Sequence, residues 1–161
     1  MRVVIGVGAN LGDRLATMRE AVAGVGRVPG VRVVGRSRVY ETEPVGGPPQ
    51  PAYLNAALCV ESAISPVALL RELLAIEVAL GRVRGASEVR FGPRAIDLDV
   101  LWIEGITVDE PGLEVPHPRL AGRAFALVPL LEVAPGAVDP RTSEPLVAPE
   151  DAGVRRTELA L

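Results

Sequence analysis

The chain has no lysine, because all 17 of its basic residues are arginine. This absence excludes a lysine Schiff base and the phosphate-binding lysine of a Walker P-loop. Any phosphate chemistry must therefore use arginine, backbone amides or a metal ion. The one cysteine, Cys59, cannot form an intramolecular disulfide, and the sequence has no Cys and His spacing typical of a zinc site. We therefore expect a reducing, cytoplasmic location.

Aromatic residues are equally scarce, with one tryptophan, two tyrosines and two phenylalanines. These are too few for the aromatic platform of a sheet that binds single-stranded RNA. The net charge of −3 also argues against nucleic acid or an anionic membrane as a partner. No apolar run approaches the ~20 residues of a membrane-spanning helix. We expect neither a nucleic-acid nor a membrane partner, and a monomer, because no exposed apolar stripe demands a second subunit.

The chain is 161 residues long and 48% hydrophobic. A chain of this length buries roughly 70% of the surface that its unfolded form exposes, enough for one core without disulfides. We therefore expect residues 1–161 to form a single domain.

Hydrophobic periodicity and turn residues divide the first two thirds of the chain into six elements. Asp13 is a plausible helix N-cap, and Ser65-Pro66 and Gly81 mark the start and stop of the second helix. The elements are a strand ending at Gly8, a helix from Asp13, strands over Val31 to Tyr40 and Tyr53 to Glu61, a helix from Ser65 to Gly81, and a strand over Ile96 to Ile103. The order β-α-β-β-α-β predicts an α+β, ferredoxin-like fold in which the second and third strands are antiparallel neighbours.

Beyond this core the sequence predicts a C-terminal hairpin and helix extension. A short strand is expected around Ile106 to Val108, followed by a proline-rich turn and a helix from about Leu127 to Val133. The proline-rich tail after Pro135 carries no motif that we can assign.

The strongest chemical signal is the pair Asp97 and Asp99 within the last strand of the core. Alternation puts Ile96, Leu98, Val100 and Trp102 on one face of the strand, and puts both aspartates, Leu101 and Ile103 on the other. Two carboxylates this close repel, and a divalent cation between them removes the repulsion. Such a pair can hold two Mg²⁺ ions ~3.5–4 Å apart for phosphoryl transfer. The alternative is a solvated face of an edge strand.

Arginines are concentrated just before this strand, where Arg82, Arg84, Arg90 and Arg94 lie among glycines. Guanidinium groups suit phosphate oxygens, so residues 82–95 could form a lid over a polyphosphate. The alternative is a solvated charged loop.

Glu77 falls on the apolar face of the second helix, at about 40° from Leu73 on a helical wheel. A carboxylate there is either buried or directed into a site, unless it snorkels to water or pairs with Arg82. His117, the only histidine, lies between two prolines and could act as a general acid or phosphate donor, or could be a surface turn residue. Tyr53 and Asn55 share a strand face and could stack on and read a planar ligand, or could form an ordinary strand end.

Several segments together resemble the 6-hydroxymethyl-7,8-dihydropterin pyrophosphokinase family of folate biosynthesis. The matching segments are GANLGD at 8–13, YETEPVG at 40–46, QPAYLNA at 50–56, Glu77, LGRVR at 80–84, RFGPRAIDLD at 90–99 and VPHPR at 115–119. The sequence departs from the family pattern at Ala9 and Phe91, and in a longer segment between Arg84 and Arg90.

The resemblance implies transfer of the terminal diphosphate of ATP to the pterin hydroxymethyl group, with release of AMP and with two Mg²⁺ ions. It implies Asp97 and Asp99 as metal ligands and Arg82 and Arg94 as catalytic arginines. The implied ATP contacts are Glu77, Arg82, Arg84, Arg94, Val100, His117 and Arg123, and the implied pterin contacts are Thr42, Pro44, Val45, Tyr53, Asn55 and Phe125. The resemblance implies no protein nucleophile.

Two other function classes fit part of the sequence. A ferredoxin-like module that binds a small ligand without chemistry has the same element order, but it has no need of paired aspartates and four arginines. A kinase that transfers only the γ-phosphoryl group would release ADP instead of AMP.

Overall fold

The computed structural model describes residues 1–43, 47–81, 95–150 and 153–161. Its strands are β1 (Arg2–Ala9), β2 (Val31–Arg36), β3 (Arg38–Thr42), β4 (Tyr53–Ser62), β5 (Asp97–Ile103), β6 (Val108–Glu110), β7 (Leu113–Val115) and β8 (Val154–Ala160). Its helices are α1 (Arg14–Gly26), α2 (Pro66–Ala79) and α3 (Ala124–Val133), with a 3₁₀ turn at Leu120–Gly122.

Six of these strands form one antiparallel sheet, in which five follow the order β5-β1-β4-β3-β8. The sixth, β2, pairs with β4 on the same edge as β3, and the two follow one another along that edge. The central pair is β1 and β4, and the predicted second and third strands are antiparallel neighbours. The prediction of an α+β, ferredoxin-like fold is confirmed.

Helices α1 and α2 pack on one face of the sheet, and both begin where the sequence predicts. Asp13 caps α1 by accepting a hydrogen bond from the Ala16 amide, and Ser65 caps α2 through the Ala68 amide. The main core lies between these helices and the sheet and includes Ile5, Met18, Leu58, Leu69, Leu73, Leu98 and Val100.

Helix α3 packs on the opposite face of the sheet. It covers a smaller core that contains Val4, Ala57, Leu101, Trp102, Leu127 and Leu130. Toward the Ala9 end of β1, this face carries polar side chains from three strands. The candidate site is built on that part of the sheet.

The predicted strand over Val31 to Tyr40 is wrong as one element, because Ser37 divides it into β2 and β3. The Ser37 hydroxyl accepts a hydrogen bond from the Ala57 amide at 2.8 Å and donates to the Arg38 carbonyl at 2.7 Å. A side chain thus replaces one step of the β ladder, and the strand resumes beyond it. Serine side chains compete with the backbone in this way.

The predicted alternation of β5 is confirmed as far as Leu101 and is wrong after it. Ile5 of β1 lies opposite Val100, but Val4 lies opposite Trp102, so Leu101 is an extra residue in β5. Trp102 consequently packs with Leu101 beneath α3, and Ile103 returns to the main core.

Three features of the C-terminal third differ from the prediction. Ile106 makes only an isolated bridge, and the strand begins at Val108 and pairs with β7 around Gly112, whose φ is 79°. Helix α3 begins at Ala124, before the predicted start at Leu127. Residues 154–160, for which no element is predicted, form β8 against β3.

None of the helices in the described ranges has the length and apolar character needed to cross a membrane.

Candidate active site

The site is organised around Gly8, which lies between two polar residues of neighbouring strands. Gly8 is opposite Asn55 of β4 on one side and opposite Asp97 of β5 on the other. Side chains of directly opposed residues lie on the same face of an antiparallel sheet. Because glycine has no side chain, a gap separates the Asn55 amide from the Asp97 carboxylate. A Cβ atom added at Gly8 would lie 3.0 Å from Asn55 Oδ1, which is tighter than nine in ten real Cβ contacts.

A second row repeats this arrangement two residues along β1. Gly6 lies opposite Asp99 of β5, and a Cβ atom added there would lie 3.1 Å from a methyl carbon of Leu101. Leu101, the extra residue of the β5 bulge, therefore packs over Gly6 and closes the floor of the site. Glycine inside a strand is typical of such a close approach.

Asp97 and Asp99 are half-buried and lie on the same face of β5, as the sequence predicts. No cluster of three or more His, Cys, Asp or Glu side chains suited to a metal forms within the described residues. Two carboxylates fit Mg²⁺ in this setting, because Mg²⁺ is usually bound through one or two carboxylates, water and substrate phosphates. They do not resemble a closed structural metal site.

The amide of Asn55 is oriented by a neighbour on the adjacent strand. Asn55 Nδ2 donates a hydrogen bond of 2.7 Å to Thr42 Oγ1, and Asn55 is only 8% exposed. Thr42 itself lies opposite Tyr53. The structure therefore brings together Thr42, Tyr53 and Asn55, three of the predicted pterin contacts. One of the two N–H donors of Asn55 is used by Thr42, and its carbonyl oxygen Oδ1 lies on the Gly8 side.

The start of α3 lies on the same side of the sheet and carries Arg123 and Phe125. The guanidinium carbon of Arg123 is 5.5 Å from the centre of the Phe125 ring, a distance typical of a cation–π contact. Phe125 also packs at the margin of the smaller core beneath α3.

His117 is half-buried and has a lowered pKa, chiefly because burial disfavours its charged form. The positive charges of Arg123 and Arg119 lower this pKa further, while Asp97 opposes the shift. His117 Nδ1 accepts a hydrogen bond of 3.2 Å from the Arg119 amide. The imidazole is therefore neutral near pH 7, and its proton is on Nε2, the tautomer that this hydrogen bond requires.

Beside Asp99 and His117 is an open cavity of about 350 Å³. Its walls come from the middle of α2, from β5 and from the β6–β7 hairpin, and include Leu70, Val100 and Leu113. The volume is within the range of small-molecule sites. The lining also contains His117 and the carboxylates of Asp99, Asp109, Glu110 and Glu114, so the cavity combines apolar and charged groups.

Glu77 is wholly buried, as its place on the apolar face of α2 predicts, and it does not snorkel to water. Its Oε2 atom accepts a hydrogen bond of 3.0 Å from the Leu98 amide of β5. In this structure the carboxylate is directed at the backbone between Asp97 and Asp99.

Other predicted site residues lie outside the described residues. They are Pro44, Val45, Arg82, Arg84, Arg90 and Arg94. Their roles stay predictions.

Two features of the site are not among the predicted residues. Gly6 and Gly8 form its floor, and the signal for them is a pair of glycines in an otherwise apolar strand. Tyr40 of β3 lies next to Asn55, and its hydroxyl donates a hydrogen bond of 2.6 Å to Glu132 of α3. Burial and this carboxylate raise the pKa of Tyr40 to about 12. No local pattern in the sequence predicts the contact between Tyr40 and Glu132.

Comparisons with known proteins place these features in a family. A family model for 7,8-dihydro-6-hydroxymethylpterin-pyrophosphokinase matches residues 4–135. A 2-amino-4-hydroxy-6-hydroxymethyldihydropteridine pyrophosphokinase of Methylorubrum extorquens is 43% identical over 159 residues, which are 98% of this chain and 99% of the relative. The enzyme of the same name from Bacillus subtilis is 42% identical over 129 residues, 80% of this chain and 75% of the relative.

Among solved structures, an HPPK-DHPS chain in complex with substrates superposes with a TM-score of 0.68 at 13% identity. The match covers 90% of this chain and 42% of that longer chain. Because the sequence identity is only 13%, this similarity supports the fold alone. The family model and the two sequence relatives go further, and they show that this chain belongs to the 7,8-dihydro-6-hydroxymethylpterin-pyrophosphokinase family.

Proposed function

We propose that the Gly8 face of the sheet is where this chain carries out the reaction of its family. That reaction transfers diphosphate from ATP to hydroxymethyldihydropterin in folate biosynthesis. The pterin hydroxyl oxygen attacks the β-phosphorus of ATP. The bond from that phosphorus to the oxygen it shares with the α-phosphorus breaks, and AMP leaves with that oxygen while the hydroxyl proton is released.

The observation that carries this assignment is the row Asn55, Gly8 and Asp97. Asn55, whose amide suits the polar edge of a heterocycle, lies on one side of the gap at Gly8. Asp97, whose carboxylate suits a metal ion bound to phosphate, lies on the other side. A pterin hydroxymethyl group read by Asn55 would project across Gly8 toward the phosphates at Asp97. Positioning of this kind accounts for much of the rate in a reaction without a protein nucleophile.

The pterin end of the site consists of Thr42, Tyr53, Asn55 and Phe125, together with Pro44 and Val45 from the resemblance. Asn55 presents its carbonyl oxygen to the ring edge, while one of its two amide N–H groups is held by Thr42. Tyr53 and Phe125 provide the two aromatic faces between which a planar ring would stack.

The phosphate end consists of Asp97 and Asp99, which would hold Mg²⁺. Two magnesium ions, when bound, would offset the negative charge of the transferring phosphates. From the resemblance, we assign Arg82 and Arg94 to contacts with the transferring phosphates. Such contacts speed the reaction most where they stabilise negative charge that develops in the transition state.

The nucleotide end is assigned to the cavity beside Asp99, with Val100 and Leu70 against the base. His117 is neutral and carries its proton on Nε2, so it can donate a hydrogen bond to a phosphate without adding positive charge. Arg123 and Arg84 complete the proposed ATP contacts. We assign Glu77 to the nucleoside side as well, acting in this conformation through the β5 backbone.

Steady-state kinetics can separate the two ends of the site. We expect Asn55→Ala to raise the KM for the pterin about tenfold, since a buried hydrogen-bond partner is lost, and to leave the KM for ATP unchanged. We expect Asp99→Asn to raise the Mg²⁺ concentration needed for half-maximal rate and to leave the pterin KM unchanged. If each variant altered both ligands equally, the division of the site would be wrong.

We further propose that residues 1–161 form one catalytic domain that works as a monomer in the cytoplasm. The buried, unpaired Cys59 suits a reducing compartment. Light scattering coupled to size exclusion tests the monomer, for which we expect the mass of one 16.9 kDa chain.

A further inference from the structure

The carboxyl-terminal strand β8 lies beside the strand that orients the pterin-reading amide. Val154 is opposite Thr42, and Arg155 is opposite Glu41. Thr42 accepts the hydrogen bond that sets the orientation of Asn55. β3 therefore has two neighbours, with β4 contributing Asn55 on one side and β8 on the other.

Arg155 joins β8 to the end of β3 through side chains. Its Nη2 atom donates to Glu41 Oε1 at 2.7 Å and to Glu43 Oε1 at 3.4 Å. This contact lowers the pKa of Glu41, so the carboxylate is charged at neutral pH. Glu43 directly precedes Pro44 and Val45 in the sequence, two residues assigned to the pterin. Arg155 thus contacts the end of β3 at Glu41 and Glu43, directly before Pro44 and Val45 in the sequence.

Glu41 also connects to the point at which the chain enters β4. Arg14 of α1 lies 3.6 Å from Glu41 Oε2 and donates a hydrogen bond of 2.8 Å to the Ala52 carbonyl. Ala52 directly precedes Tyr53, one of the proposed stacking rings. A chain of contacts from Arg155 through Glu41 and Arg14 therefore reaches both described ends of the loop between β3 and β4.

β8 is itself fixed at several points, so it can serve as an anchor. Arg19 of α1 donates two hydrogen bonds, from Nε at 3.1 Å and Nη2 at 2.8 Å, to the Ala160 carbonyl. Thr157 Oγ1 donates to the Val39 carbonyl of β3 at 2.8 Å. A terminal segment tied down in this way is part of the folded structure and not a fraying end.

From these contacts we propose that β8 positions the pterin end of the active site, and that Arg155 is the positioning residue through which it acts on Glu41 and Glu43. The proposal rests on the pterin site proposed above. Arg155 does not touch the substrate, so its loss should alter the pterin KM and not the chemical step.

The test compares Arg155→Ala with the wild-type enzyme by steady-state kinetics. We expect the pterin KM to rise about fivefold, since an exposed ion pair contributes only a modest amount. We expect kcat and the KM for ATP to stay unchanged. Arg155→Lys, which keeps the charge but loses the forked geometry, should give an intermediate pterin KM.

The matched control is Arg141→Ala. Arg141 belongs to the same C-terminal part of the chain and forms an ion pair 2.9 Å from Asp139, less exposed than that of Arg155, and its side-chain hydrogen bonds go to Asp139. We expect wild-type kinetics from this variant. A mutant cycle adds Glu41→Ala and Glu43→Ala, which remove both acceptors of Arg155, and in that background Arg155→Ala should have no further effect.

Hydrogen exchange separates failure of this inference from failure of the proposed function. Without substrate, Arg155→Ala should speed amide exchange in residues 38–43, and Arg141→Ala should not. A wild-type enzyme that forms no AMP from ATP in the presence of the pterin would overturn the proposed function. An unchanged pterin KM together with unchanged exchange in β3, or equal effects from Arg141→Ala, would overturn the positioning role of Arg155.

Discussion

The carboxylate of Glu77 accepts a hydrogen bond of 3.0 Å from the backbone amide of Leu98. Leu98 lies between Asp97 and Asp99, and β5 is the outermost strand on its side of the sheet among the described residues. The Leu98 amide would otherwise be an unpaired donor on the outer edge of a buried strand, which is costly. Glu77 therefore links α2 to the backbone that carries both proposed metal ligands.

This contact predicts that Glu77→Ala both destabilises the protein and lowers its activity. Loss of the acceptor leaves the Leu98 amide unsatisfied, at about 1–3 kcal/mol, and the removed side chain adds a cavity. We expect a lower urea midpoint and a higher Mg²⁺ requirement. Glu77→Gln keeps an acceptor for the amide and should be much milder. Equal effects of the two variants on the Mg²⁺ requirement would show that the charge of Glu77, and not its hydrogen bond to Leu98, is what matters.

Asp97→Ala should abolish Mg²⁺-dependent turnover while the protein stays folded. The reason is that the substrate phosphates would lose one of two carboxylates proposed to hold their metal ions. Glu104→Gln is the control, since Glu104 lies in the exposed turn directly after the same strand. Full activity of Asp97→Ala, with a circular dichroism spectrum like that of the wild type, would remove the metal assignment.

Gly8→Ala should impair pterin binding more than stability. The added methyl group would lie 3.0 Å from Asn55 Oδ1. Either the Asn55 amide must move, or the pterin ring must bind farther from β1. We expect at least about a tenfold rise in the pterin KM, the scale of one lost or strained buried hydrogen bond. Gly26→Ala is the control, because a Cβ atom at this helical position meets nothing within 4 Å. A wild-type KM for Gly8→Ala would show that the gap at Gly8 is not used.

Tyr40→Phe should change how stability depends on alkaline pH. The pKa of Tyr40 is about 12 in the folded protein against an ordinary value of 10.0, so the folded state holds this proton more tightly. The stabilisation is complete below pH 10 and is lost as pH rises from there toward 12, where the folded state also ionises. Urea unfolding across this window should show a steeper loss in the wild type than in Tyr40→Phe.

The absence of lysine simplifies that measurement, because lysine side chains would otherwise titrate in the same pH range. Parallel pH profiles for the wild type and Tyr40→Phe would contradict the role of the Tyr40 and Glu132 hydrogen bond.

Arg94→Ala tests an assignment made from the resemblance. Loss of an electrostatic contact made in the transition state typically costs on the order of 10²-fold in turnover. A decrease of less than about threefold in kcat would exclude Arg94 from that role.

The parts of the fold that the sequence predicts well are those fixed by local chemistry. Helix α2 begins at Pro66 because Ser65 caps it, and it ends just before Gly81, whose φ of 95° suits glycine. Asp97 and Asp99 share a face because strand alternation is a local property. The burial of Glu77 follows from helical periodicity in the same way.

The parts that the sequence does not predict depend on distant partners. The break at Ser37 requires the Ala57 amide, and the bulge at Leu101 is defined by its register with β1. β8 is mostly exposed and has no apolar pattern, so only its pairing with β3 makes it a strand. The gap at Gly8 exists because two other strands pair on either side of it. Nonlocal pairing of this kind leaves little trace in periodicity.

The most direct test of the central claim is ³¹P NMR of the purified protein with ATP, MgCl₂ and 6-hydroxymethyl-7,8-dihydropterin. We predict that AMP and a pterin diphosphate ester accumulate together, and that neither forms without the pterin. ADP as the product would mean transfer of the γ-phosphoryl group alone. Absence of turnover by folded protein that still binds ATP would mean that the site binds its ligands without catalysing diphosphate transfer, and either result would contradict the proposed reaction.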